Sequence, residues 1–197
     1  MSEVSPNALA AALFLVIAMS TAGIAHVAWL RSAAAAALTA PIDRGLTLRG
    51  RRLLGDNKMV RGFVVLPPAA TVAFALWAEI WSHLPFPPAS GLWPLESAQF
   101  ALLGFACGFA FMLAELPNSF LKRQLDIVPG QAAAQAPLRA LFFVVDRCDS
   151  VLGVLFAASL LVPVPVRTWL WVLLLGPCMH AVFSIILHRV GVKARAL

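Results

Sequence analysis

Leu141-Phe142-Phe143-Val144-Val145-Asp146-Arg147-Cys148-Asp149-Ser150-Val151-Leu152-Gly153-Val154-Leu155-Phe156 sets three charges between two apolar flanks that call for lipid. A charged side chain at bilayer depth costs about 2.5–3.5 kcal/mol on insertion scales, so such groups face a bundle interior or a functional site. The i, i+3 spacing puts Asp146 and Asp149 on one face of a helix. Two carboxylates converging on one spot suit a divalent cation, and Mg²⁺ takes oxygen ligands of this kind. The plainer alternative is a buried Asp–Arg pair that clamps helices together.

Outward from this stretch the chain is equally apolar. With 61% hydrophobic and 12% charged residues it is excluded from the ordinary soluble domains. Apolar segments at about 7–30, 62–83, 97–116, 140–162 and 168–188 approach or exceed the length of a membrane span. No strand-like alternation accompanies them, so their backbone must be satisfied within helices. The expected architecture is an all-α integral membrane protein, one domain over residues 1–197, with about five transmembrane helices. The tryptophans lie mostly near the expected span ends and read as interfacial anchors. Cys107, Cys148 and Cys178 are scattered, with no C-x-x-C spacing.

The net charge of +6 does not point to nucleic acid, because of where it sits. Seven of the fifteen Lys and Arg residues fall between Arg31 and Arg61, three between Lys122 and Arg139, and three in the tail at Arg189, Lys193 and Arg195. By the positive-inside rule this places the N-terminus outside, the C-terminus in the cytoplasm and the connections 31–61 and 117–139 in the cytoplasm. Pro117 is expected to end the third span. The loop from Ala40 to Gly62 carries four glycines and, from Arg44 to Arg61, six basic residues. That mixture suits a polyphosphate, although a topogenic basic loop reads the same way. Asp146 lies seven residues inward from Arg139, roughly 10 Å at helical rise, and Glu115 falls at the same end of the third span. Three polar constellations therefore converge on one face of the membrane. His26, near that face in the first span, is either a ligand or a packing histidine.

Two motifs then become recognisable. Ser119-Phe120-Leu121-Lys122-Arg123 followed by Asp146-Arg147-Cys148-Asp149-Ser150 resembles the S-x-x-K-R … D-R-x-D-S signature of CTP:phosphatidate cytidylyltransferases. Pro41-Ile42-Asp43, Arg49-Gly50-Arg51-Arg52 and Gly55-Asp56-Asn57-Lys58-Met59-Val60-Arg61-Gly62-Phe63 look like the first cytoplasmic loop of the archaeal branch, the CDP-archaeol synthases. That loop runs P-I-D, R-G-K-R and G-D-N-K-T-W-R-G-F. The resemblance covers most of the chain. The chain departs from the family at Ala114-Glu115, where members usually have Gly-Asp, and at Met59-Val60 in place of T-W. The H-G-G segment of the phosphatidate enzymes is absent, as in the archaeal branch.

The resemblance implies a CTP-dependent cytidylyltransferase that converts a membrane lipid phosphate, phosphatidate-like or archaetidate-like, to a CDP-lipid with release of pyrophosphate. It implies catalytic roles for Asp146, Asp149, Lys122 and Arg123, with Mg²⁺ held by Asp146, Asp149 and Glu115. CTP and the lipid phosphate would be met by Asp43, Asp56, Asn57, Lys58, Arg61, Gly62, Ser119 and Arg147. The site would lie on the cytoplasmic side of the inner membrane. A homodimer stays open. The competing readings are a CTP-dependent lipid or polyprenol kinase and a non-catalytic small transporter or scaffold.

Overall fold

A computed structural model describes residues 5–84 and 91–189, so Lys193 and Arg195 of the tail lie outside it. Five helices carry most of the described chain: α1 (Ala8–Leu30), α2 (Val60–Ser82), α3 (Ser97–Gln124), α4 (Ala136–Leu161) and α5 (Val166–Arg189). The shorter ones have 23 residues, about 35 Å at helical rise, enough to cross a hydrocarbon core of roughly 30 Å. α1 starts where the Asn7 side chain accepts from the amides of Leu9 and Ala10, both at 3.1 Å. α3 starts with a capping box between Glu96 and Gln99.

Four of the five expected segments pass as membrane spans by length and composition among the described residues: Ala8–Leu30, Val60–Ser82, Ser97–Gln124 and Val166–Phe183. α4 does not join them, because Asp146, Arg147 and Asp149 interrupt its apolar run. Its Leu152, Phe156 and Leu160 are nonetheless turned outward, like Leu102 and Phe105 of α3. One sequence expectation about the spans is corrected. Pro117 does not end the third span: α3 continues through it to Gln124, so Ser119, Lys122 and Arg123 stand on a helix rather than in a loop. A proline removes one intrahelical donor, a loss that membrane helices tolerate where neighbouring groups compensate. Two prolines, Pro67 and Pro68, likewise lie inside α2.

The helices pack in a closed cycle. α2 lies between α1 and α3, α4 follows α3, and α5 returns to α1. Phe14 of α1 is fully buried at the centre of an aromatic cluster, edge-on to Phe74 at 5.4 Å, Trp81 at 6.1 Å and Trp93 at 6.5 Å. Trp81 and Trp93 are therefore core residues rather than the interfacial anchors expected from their position. Trp93 Nε1 also donates to the Pro163 carbonyl at 2.8 Å, tying the α2–α3 connection to the α4–α5 turn.

Close helix contact is set by glycines. A Cβ at Gly104 or Gly108 of α3 would strike the α2 backbone at Ala70, Pro67 or Leu66. One at Gly153 of α4 would lie 2.5 Å from the Ala110 carbonyl of α3. α3 is thus gripped at backbone distance from both sides.

Candidate active site at one end of the bundle

The α1–α2 connection is more ordered than a topogenic loop needs to be. A 3₁₀ turn (Ala33–Leu38) leads to a bridge between Pro41 and Met59. Inside it, β1 (Thr47–Leu48) and β2 (Arg51–Arg52) pair antiparallel, Thr47 opposite Arg52. The two turn residues, Arg49 and Gly50, both have positive φ (53° and 79°), the type I′ geometry that matches strand twist. This hairpin is a small β element in a chain expected to be wholly helical.

Asp43 organises the loop. It is buried, 4% exposed. Its carboxylate accepts from Arg52 Nη2 at 2.7 Å and Nε at 3.3 Å, and from the amides of Leu54 (2.9 Å), Gly55 (3.1 Å) and Gly45 (3.2 Å). The Arg52 guanidinium, aided by those three amides, holds the Asp43 carboxyl well below the usual carboxylate range against the opposing effect of burial. Arg52 also reaches Asp56 at 2.8 Å, and the two acids raise its own pKa. Expected as a substrate contact, Asp43 has its acceptors occupied by the loop itself. Asp56 is largely exposed and holds the far side of Arg52.

The loop docks on the end of α3. Arg51 binds the Gln124 carbonyl and Asp126, both at 2.5 Å, and Gln124 Nε2 returns to the Arg52 carbonyl at 3.3 Å. Gly55, at φ 95°, runs so close that a Cβ there would lie 3.0 Å from Pro129 and 3.4 Å from Arg123. Asn57 sits in the same turn, its Oδ1 beside that glycine. Lys58 is ion-paired with Glu115. Gly62 lets the first turn of α2 lie against Met112 of α3. Arg61, in the same turn, makes no side-chain hydrogen bond or ion pair among the described residues.

Glu115, Asn118, Ser119 and Lys122 are spaced i, i+3, i+4, i+7 and share one face of α3. Lys122 is ion-paired with Asp146 of α4 and lies 5.3 Å from the Phe142 ring centre. Asn118 Nδ2 donates to Asp146 Oδ1 and Asp149 Oδ2, each at 2.7 Å. Asp149 Oδ1 accepts from the Ser150 amide at 2.7 Å and its hydroxyl at 3.0 Å. The two carboxylates therefore converge as the i, i+3 spacing required. Asn118 went unremarked in the sequence; its place one turn before Lys122 was the available signal. Ser119 is buried beside it.

Two expected residues stand elsewhere. Glu115, expected as the third metal carboxylate, is engaged by the Lys58 ammonium. Among the described residues no three His, Cys, Asp or Glu side chains gather in a group that would hold a metal ion. Arg147 pairs with neither aspartate. It turns back along its own helix, donates to the Phe143 carbonyl at 2.8 Å and stacks on the Phe143 ring at 3.4 Å. Phe143 is on the outward face, so this guanidinium lies toward the outside of the bundle.

Arg123 is only 8% exposed, and its Nε and Nη1 have no hydrogen-bond partner among the described residues. Buried donors left unpaired are costly, and a guanidinium in that state is suited to an incoming anion. The Asn118 Oδ1 is also buried without a donor, and so is His26 Nε2 on α1. Chemically, the end of α3 thus offers paired carboxylates for a cation on its α4 side and cationic donors on its loop side.

Residues 13–196 match the CarS-like family model, described as CDP-archaeol synthase. The CDP-archaeol synthase of Methanospirillum hungatei JF-1 is 32% identical over 163 residues, covering 78% of this chain and 87% of that protein. The Halobacterium salinarum (strain NRC-1) CDP-archaeol synthase is 34% identical over 161 residues, covering 78% and 81%. A solved structure described as an intramembrane enzyme for archaeal membrane lipids biosynthesis aligns with a TM-score of 0.60 at 23% identity, covering 88% of this chain and 89% of the other. That last likeness establishes the fold.

Proposed function

The chain belongs to the CarS-like family of CDP-archaeol synthases, and from that premise we propose how its inner end works. The protein is a membrane-embedded nucleotidyltransferase: a CTP-dependent cytidylyltransferase acting on a lipid phosphate, which it converts to a CDP-lipid with release of pyrophosphate. A lipid phosphate oxygen attacks the α-phosphorus of CTP, forming one P–O bond as the bond to pyrophosphate breaks. Both reactants are anionic, so the enzyme's task is to bring them together and neutralise charge.

The observation that carries this assignment to residues is the meeting of Asp146, Asp149, Asn118 and Lys122 beside the docked first loop. Arg123, Lys58, Arg61 and Lys122 grip the triphosphate and steady the departing pyrophosphate. Ser119, Asn57 and Gly62 line the same approach, while Asp43 and Asp56 position Arg52 and the loop backbone. Arg147, stacked beside the outward-facing Phe143, receives the lipid phosphate while the tails stay in the bilayer.

Asp146 and Asp149 fit a divalent cation, since ionised carboxylates only accept and these two share a single amide donor. Magnesium, when bound there, supplies Lewis-acid neutralisation of the phosphate oxygens. Glu115 acts by holding Lys58. α4 completes a five-span domain over residues 1–197, because its polar face is sheltered by α3. The charge distribution supports an outside N-terminus and a cytoplasmic site. The reaction calls on one protomer's residues, so a homodimer is not required by it.

The test is purified protein in detergent with CTP, Mg²⁺ and a panel of ester- and ether-linked lipid phosphates. Cytidine-labelled CTP should yield a labelled lipid. Lipid labelled only by γ-phosphate would identify a kinase instead, and absence of any lipid product would defeat the assignment.

A further inference from the structure

Among the described residues Asp146 and Asp149 have no third carboxylate beside them, since Glu115 is engaged with Lys58 across α3's loop side. What stands between them is Asn118, 7% exposed. Its position is peculiar in a way that its chemistry explains. Two ionised carboxylates offer only lone pairs, so an amide can face them in one sense, with its N–H₂ leading. Nδ2 accordingly donates to both, at 2.7 Å each. The consequence is that Oδ1 points into a buried spot and accepts from none of the described residues. A carbonyl oxygen stripped of water and given no donor keeps its full desolvation cost. A half-turn about the last side-chain bond would exchange the two ends. It would set Oδ1 between the aspartates, repulsive alone and favourable once a hard cation shares the space. Divalent cations of this class accept neutral carbonyl oxygens alongside carboxylates.

We infer that Asn118 is the third protein ligand of the divalent cation held by Asp146 and Asp149. Without the ion its amide nitrogen bridges the two carboxylates and offsets their repulsion. With the ion the amide is reversed and Oδ1 joins the coordination sphere. This rests on the proposed reading of the aspartates as the cation's carboxylates. It gives the α3 face a division of labour: Glu115 fixes a nucleotide-side lysine, and Asn118, one turn on, completes the metal side.

The experiment is Mn²⁺ titration of purified protein in detergent, without CTP or lipid, read by loss of the free-ion electron paramagnetic resonance signal. Unfolding midpoints are recorded with and without Mn²⁺. Asp146→Asn should weaken Mn²⁺ binding by about a hundredfold, and Asn118→Ala by about tenfold to a hundredfold, the range seen when groups around a metal are removed. Asn118→Asp separates ligand from spacer. As a ligand position it should bind Mn²⁺ at least as tightly as the wild type. It should also unfold at a lower temperature without Mn²⁺ and show a larger Mn²⁺-dependent rise, because three carboxylates then repel one another. Should Asn118→Ala fail to fold, Asn118→Asp alone decides. Wild-type Mn²⁺ affinity in Asn118→Ala, or a loss in Asn118→Asp equal to that in Asp146→Asn, overturns the inference. If Asp146→Asn itself binds Mn²⁺ like the wild type, the reading of the aspartates falls and takes this one with it.

Discussion

Asp43 and Asp146 are both carboxylates at the same end of the bundle, and they live in opposite circumstances. Asp43 is buried and takes five donors from its own loop, so nothing remains for a ligand. Asp146 keeps 41% of its side chain accessible and leans on one amide and one ammonium, both carried by another helix. A carboxylate whose partners come from its own segment is a building element. One that is accessible and whose partners are borrowed across a helix interface suits the cation-holding role proposed above. The resemblance alone made both site residues, Asp146 a catalytic metal carboxylate and Asp43 a substrate contact.

Substitutions can break that contrast. The largest effect is expected at Asp146→Asn or Asp149→Asn: at least about a hundredfold loss of CDP-lipid formation, the scale of removing one electrostatic partner of a transition state. The folded, membrane-inserted protein should persist, as checked by size exclusion in detergent. Normal turnover would return these residues to the structural class. Asp43→Asn should act in the opposite way, costing about 2 kcal/mol of local stability for a lost charged hydrogen bond. Deuterium exchange at the Leu54 and Gly55 amides would then rise roughly thirtyfold. The sign of the pH response follows from the depressed Asp43 pKa. Its contribution is full above the ordinary carboxylate pKa and fades only as pH falls well below that value. Wild-type protection at these amides, corrected for intrinsic exchange, should therefore be flat from pH 7 to 4; a decline within that interval would contradict the assignment.

Smaller effects sharpen the comparison. Lys122→Ala should raise the KM for CTP about tenfold with a lesser change in kcat, in line with a charge-assisted phosphate contact. An unchanged CTP dependence would remove Lys122 from the nucleotide's path. Arg51→Ala deletes an exposed ion pair with Asp126 and should cost about 0–1 kcal/mol, seen as modestly faster exchange across the hairpin. A large activity loss there would mean that the docked hairpin itself carries function.

Much of this was legible in the sequence because hydrocarbon leaves few options. Long apolar runs had to be helices, and charges inside one had to converge on something. The i, i+3 aspartates and the order of the basic loops followed directly. What was not legible depended on partners far away in the chain. Pro117 reads as a terminator in water, yet α3 runs through it and lifts Asn118 and Lys122 onto the face opposite Asp146 and Asp149. Asn118 itself is one polar residue among several, and only the approach of α4 shows what its amide meets. Trp81 and Trp93 sit at span ends by number, but Phe14 draws them inward. Glu115 looked free for metal because Lys58 lies 57 positions earlier.

The glycines that let α3 touch its neighbours have a mechanical corollary. Where one added carbon would collide with a carbonyl, two helices have no slack to slide, part or admit a guest. α2, α3 and α4 thus behave as a welded slab, and a greasy substrate must keep its chains outside that slab, lying along the outward rows of leucine and phenylalanine while only its polar tip approaches the end of α3.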